Sequence, residues 1–122
     1  VRRALPLPVS APFHCALMQP AAERMAEALS TVELKVPTVP LVANVTARPV
    51  TNPEDIRRLL VEQVTGSVRW RESMGYIAEE GVTLVYELGA GKVLTGMAKR
   101  IDERLSGKSI GTADDVAAAD KP

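Results

Sequence analysis

Two short apolar runs, each set between segments of helical spacing, most constrain what this chain can fold into. Pro40-Leu41-Val42-Ala43-Asn44-Val45 and Val82-Thr83-Leu84-Val85-Tyr86-Glu87-Leu88 are too short for helices and rich in strand-forming side chains, so both read as buried strands. Before the first run, Leu17, Ala21, Met25, Ala28, Leu29 and Val32 fall on one helix face. Between the runs come Ile56, Leu59, Leu60 and Val64, then Trp70, Met74 and Ile77 at the same spacing. After the second, Val93, Leu94, Met97, Ile101 and Leu105 repeat the pattern. Strands alternating with helices predict α/β architecture with parallel pairing. Two strands are too few for a doubly wound sheet, so the chain reads as part of a larger fold.

Local signals place the ends of these elements. Asn52-Pro53-Glu54-Asp55 combines a capping amide, a proline suited to the first helical position and two carboxylates at the positive end of the helix dipole. Thr65-Gly66-Ser67 breaks that helix, and Gly81 stops the next. Leu5, Leu7 and Val9 alternate with Pro6, Pro8 and Ser10, which predicts an edge strand, since proline cannot donate to a central ladder. Beyond Ser106 the apolar pattern ends, and residues 107–122 read as a mobile tail. Gly89-Ala90-Gly91-Lys92 lacks the spacing of a phosphate loop and of a dinucleotide fingerprint, leaving a tight strand-to-helix turn.

Composition removes several function classes. Fifteen basic residues balance fifteen acidic ones, so no net charge favours nucleic acid or an anionic membrane. No apolar run approaches the roughly 20 residues that span a bilayer, and the charged start Val1-Arg2-Arg3 precedes no continuous apolar core of a signal peptide. One cysteine makes no internal disulfide, and one histidine with it cannot furnish a structural zinc site, which predicts no metal and a reducing compartment, the cytoplasm.

The chemistry concentrates at Pro12-Phe13-His14-Cys15, which holds the only phenylalanine, histidine and cysteine of the chain at an extended-to-helix junction. Histidine alone titrates near neutrality, which makes His14 the first candidate for proton transfer, although a lone histidine is more often a surface or packing residue. A His14–Cys15 nucleophilic pair is disfavoured, because adjacent side chains point apart. Asn44, polar inside an apolar run, reads first as the partner of a backbone group at the strand end and second as a site residue.

Pro6-Leu7-Pro8-Val9-Ser10-Ala11-Pro12-Phe13-His14-Cys15-Ala16-Leu17-Met18 closely resembles the histidine motif of malonyl-CoA:acyl carrier protein transacylases. Pro40-Leu41-Val42-Ala43-Asn44-Val45-Thr46, the segment from Gln63 to Trp70, and Tyr86-Glu87-Leu88-Gly89-Ala90-Gly91-Lys92-Val93-Leu94 resemble that family in the same order. The resemblance runs from residue 3 to about residue 105, departing at Ala90, where many members carry proline. It implies an α/β-hydrolase-like acyltransferase fold with a small ferredoxin-like subdomain. Residues 1–13 would supply that subdomain's last strand and the crossover, and residues 14–106 the C-terminal part of the large subdomain.

The resemblance also implies a ping-pong transfer of malonyl from CoA to the phosphopantetheine thiol of acyl carrier protein in fatty-acid synthesis, with no cofactor. His14 matches the general base, and Gln63 the residue whose backbone carbonyl orients it, so that the Gln63 side chain should matter less than its main chain. Phe13 matches a pocket position whose bulk favours malonyl over methylmalonyl, and Asn44 a weaker substrate-binding candidate. The family's nucleophile is a serine in G-H-S-x-G, and no G-x-S-x-G occurs here. The chain is therefore expected to be a C-terminal portion, inactive alone, requiring the upstream part and monomeric when complete. The alternatives are a non-catalytic remnant that docks acyl carrier protein, for instance through Arg57 and Arg58, or an acyltransferase domain of a polyketide-type synthase.

Overall fold

The computed structural model describes residues 9–119, which divide into two compact units, one ending at Arg69 and the other starting at Trp70. The edge strand expected from the alternation over residues 5–10 lies mostly outside the described residues, and residues 9–13 carry no strand.

In the first unit a single 3-10 turn, Ala16–Met18, runs into helix α1, Gln19–Ser30. Pro20 sits in the first turn, where its missing N–H costs nothing and its fixed φ suits the helix. The covered stripe of α1 differs from the predicted one. Ala22 is its buried residue, flanked by half-buried Met18 and Leu29, whereas Leu17 is 74% exposed and Met25 and Val32 are exposed as well. Periodicity located an apolar face correctly; the neighbouring helix covers the stripe one residue further on, where a small side chain allows close approach.

Leu41–Ala43 forms strand β1, and the chain turns at once into β2, Arg48–Val50, with Leu41 opposite Val50 and Ala43 opposite Arg48 in an antiparallel pair. The turn is closed by the Ala47 N–H donating to the Ala43 carbonyl at 2.8 Å, with Ala47 in the left-handed region at φ 53°. The first apolar run is thus a three-residue hairpin arm with exposed Leu41, not a buried parallel strand.

Helix α2, Pro53–Thr65, starts where the sequence predicted. The Asn52 Oδ1 accepts from the N–H groups of Glu54 at 2.9 Å and Asp55 at 3.2 Å, satisfying two donors that the first turn leaves without partners. Ile56 and Leu59 are its buried residues, and α2 packs against α1. Asn52→Ala is expected to lower stability by about 1 kcal/mol in urea titration of the chain; a change below about 0.3 kcal/mol would show the cap to be dispensable.

The second unit opens with α3, Trp70–Glu79, and Gly81 follows it at φ +87°, a left-handed position natural to glycine. Strand β3, Leu84–Leu88, leads through Gly89 and Gly91, at φ +122° and +103°, into α4, Val93–Ile101. The two glycines make the tight turn that the sequence predicted. The Glu87 carboxylate caps α4 by accepting from Thr95 N–H at 2.7 Å and Leu94 N–H at 3.2 Å, and these bonds, Thr95 first, hold it below the usual carboxylate range.

The predicted mobile tail is wrong for most of its length. Ser106–Ile110 is strand β4, parallel to β3 with Leu84 opposite Ser106 and Leu88 opposite Ile110, and Ala113–Ala119 is helix α5. Ser-Gly-Lys-Ser-Ile shows no apolar alternation, because β4 is held by the backbone ladder to β3 and by Leu105 just before it, 1% exposed beside Met74, Ala78 and Ala98. Helix α5 did carry a legible signal: Thr112 and Asp115 form a reciprocal capping box, Asp115 N–H to Thr112 Oγ1 at 3.2 Å and Thr112 N–H to Asp115 Oδ2 at 3.0 Å. Gly107 is required for space: a Cβ there would lie 2.8 Å from the Thr95 side chain. Strand β3 is covered on one face only, through Val85 and Glu87, while Leu84, Tyr86 and Leu88 are exposed, unlike the buried strand expected.

Candidate active site

His14 lies in the first unit, at the junction before the 3-10 turn, with φ 58°. A left-handed backbone is costly for a residue with a Cβ and persists where the surroundings demand it. Around it, Phe13 N–H donates to the Ala11 carbonyl at 3.0 Å and the Cys15 thiol to the Pro12 carbonyl at 3.0 Å. Cys15 is therefore engaged with its own turn.

The histidine ring reaches the end of α2. Its Nδ1 lies 3.0 Å from the backbone oxygen of Gln63, 49 residues away in sequence. A carbonyl only accepts, so Nδ1 carries the proton and Nε2 is left as the acceptor.

The free carbonyl exists because of how α2 ends. The last four carbonyls of a helix have no partner within it. Gly66 N–H takes that of Glu62 at 2.9 Å, and the chain then leaves extended, with Gly66 at φ −85° and ψ 157°. A Cβ on Gly66 would meet the Val45 side chain at 2.8 Å, so the exit needs glycine for room.

Gln63 uses its other end as well. Its Oε1 accepts from Asn44 Nδ2 at 3.0 Å, part-buried. Asn44 and Gln63 border a cavity of about 260 Å³ walled by Leu41, Val42, Ile56 and Leu60. Of the four residues singled out in the sequence, three thus form one chain of hydrogen bonds, from Asn44 through Gln63 to His14. Phe13 is outside it and is 56% exposed. The Gln63 side chain has a definite partner, and periodicity carries no signal for such a non-local amide pair.

Arg57 and Arg58 make bonds of their own within the first unit. Arg57 donates to the Val32 carbonyl at 2.8 Å, and Arg58 bonds Glu62 at 2.7 Å and Asp55 at 3.1 Å, which raises its already high pKa, Glu62 contributing most. Among the described residues no group of three or more His, Cys, Asp and Glu side chains is placed to hold a metal ion, and no helix is long and apolar enough to cross a membrane.

No protein-family model matches the chain. Against curated proteins it is 48% identical over 118 residues to the malonyl CoA-acyl carrier protein transacylase of Escherichia coli K12, which covers 97% of this chain and 38% of that relative. Among solved structures, the acyl-carrier-protein S-malonyltransferase of Bartonella henselae superposes with a TM-score of 0.84 at 54% identity, over 97% of this chain and 38% of that one. A malonyl-transacylase solved in complex with a type II polyketide acyl-carrier protein matches at 45% identity and a TM-score of 0.81, over 96% and 38% of the two chains. The chain thus spans about two fifths of the length of the relatives it matches. By sequence over nearly its whole length, and by the path of its backbone, it is homologous to a C-terminal portion of malonyl-CoA:acyl carrier protein transacylases.

Proposed function

We propose that this chain supplies the general base of a malonyl-CoA:acyl carrier protein S-malonyltransferase whose serine nucleophile lies in the rest of a longer protein. The observation that carries the reading is the 3.0 Å bond from His14 Nδ1 to the Gln63 carbonyl, which assigns the tautomer with Nε2 free. In the first half-reaction Nε2 takes the serine proton as Oγ attacks the malonyl thioester carbon. The tetrahedral intermediate collapses, the C–S bond breaks, and His14 returns the proton to the CoA thiolate. In the second half the pantetheine thiol gives its proton to Nε2 and attacks the malonyl-serine ester, and serine leaves with that proton. A neutral carbonyl replaces the carboxylate of a Ser-His-Asp triad.

Only acid–base and nucleophilic groups are needed, so the reading includes neither metal nor organic cofactor. CoA thioesters and carrier protein place the reaction in the cytoplasm. In the same reading residues 14–119 belong to the large acyltransferase subdomain, and those up to residue 13 end the small one. Incubating the family-length protein that contains this sequence with malonyl-CoA and holo-carrier protein should yield malonyl-carrier protein. No transfer to either a fatty-acid or a polyketide carrier would reject the reading.

Phe13, next to His14 and exposed, is placed by this reading at the acyl pocket. Phe13→Ser should lower the preference for malonyl over methylmalonyl, measured as the ratio of kcat/KM values, by about tenfold, within the 1–3 kcal/mol that a methyl contact commands. An unchanged ratio would remove Phe13 from the pocket.

A further inference from the structure

We propose that Asn44 is a positioning residue, whose side-chain amide holds Gln63 so that the Gln63 main-chain carbonyl meets His14 Nδ1. The proposal rests on the assignment of His14 as the base, and it moves Asn44 from substrate contact to support of the base. Gln63 is bonded at both ends, Oε1 to Asn44 Nδ2 at 3.0 Å and the backbone oxygen to His14 Nδ1 at 3.0 Å. It lies in the last turn of α2, where frayed carbonyls lose the restraint of the helix ladder.

Asn44 is a firm post. It follows β1 at the start of the hairpin turn, which Ala47 N–H closes onto Ala43. Its own carbonyl accepts from Arg69 N–H at 2.8 Å, and the Arg69 guanidinium bonds the Thr46 carbonyl at 3.0 Å. The amide pair therefore ties the last turn of α2 to a turn closed from both sides. Because the pair is part-buried beside an apolar cavity, an unpaired amide there would be costly, which favours a single arrangement.

The test uses the chain's single histidine as its own probe. Long-range proton–nitrogen correlation spectra of the nitrogen-15-labelled 122-residue chain at alkaline pH report the ratio of Nδ1–H to Nε2–H imidazole. The native chain should favour Nδ1–H. Asn44→Leu, checked for native thermal melting, should lower that ratio by about three- to tenfold, the worth of one net hydrogen bond. Gln63→Leu should do the same, and the double variant no more than either single one, as expected of one shared interaction. Gln63→Glu keeps an acceptor for Asn44 and should keep the ratio.

A ratio unchanged within twofold in folded Asn44→Leu would overturn the proposal, as would a loss in Gln63→Glu equal to that in Gln63→Leu. If Asn44→Leu does not fold, Gln63→Leu removes the same bond from the other side and decides. The outcome is separable from the proposed function: a maintained tautomer with no effect of His14 on malonyl transfer would reject the base and leave the positioning role standing.

Discussion

His14→Asn is expected to lower malonyl transfer by the family-length protein about 10²–10⁴-fold in kcat, the usual contribution of a positioned general base. Asparagine is the informative replacement because it tolerates the left-handed backbone that His14 adopts at φ 58° and has no basic nitrogen. His14 is exposed and its one described side-chain bond is to Gln63, so the urea midpoint should move little. A loss of activity with unchanged stability would isolate proton transfer as the cause. A loss smaller than tenfold would mean that another group removes the serine proton. His14→Gly adds a second reading of the backbone: relieved of its Cβ at that φ, the variant should be at least as stable as His14→Ala.

The largest effect on folding is expected at Leu105→Ala, at a cost of about 2–5 kcal/mol. Leu105 is 1% exposed and is the largest side chain among the described residues to be so fully enclosed, beside Met74, Ala78 and Ala98 with Trp70, Ile77, Val85 and Ile101 around them. Two of its buried neighbours are alanines, so little side chain is available to collapse into the space. The residue also anchors the entry to β4, whose ladder with β3 begins at the next position. Urea unfolding followed by Trp70 fluorescence, the only tryptophan of the chain, reports on this unit. Hydrogen exchange at Tyr86 and Lys108, opposite each other in the ladder, should lose protection in parallel. A destabilisation below about 1 kcal/mol would show that the core relaxes around the gap.

What the sequence determined by itself is local. Asn52-Pro53 set the start of α2, Gly81 the end of α3, and the glycines at 89 and 91 the turn into α4, because each acts through its own φ and its own nearest donors. The order of motifs around His14, Asn44, Gln63 and Gly89 was also legible, and with it the likeness to the transacylases. Tertiary structure decided the rest. Strand β2 contains Pro49 and has no apolar alternation, and β4 is Ser-Gly-Lys-Ser-Ile; both are strands because a partner's backbone lies alongside. Which stripe of α1 is covered depends on where α2 runs, and Leu105 enters the core from beyond the helix on which its spacing had placed it. The chain of bonds from Asn44 through Gln63 to His14 joins positions 19 and 49 residues apart. Periodicity records which side chains prefer to leave water, whereas a hydrogen bond between distant polar groups depends on distances that only the folded path of the chain sets.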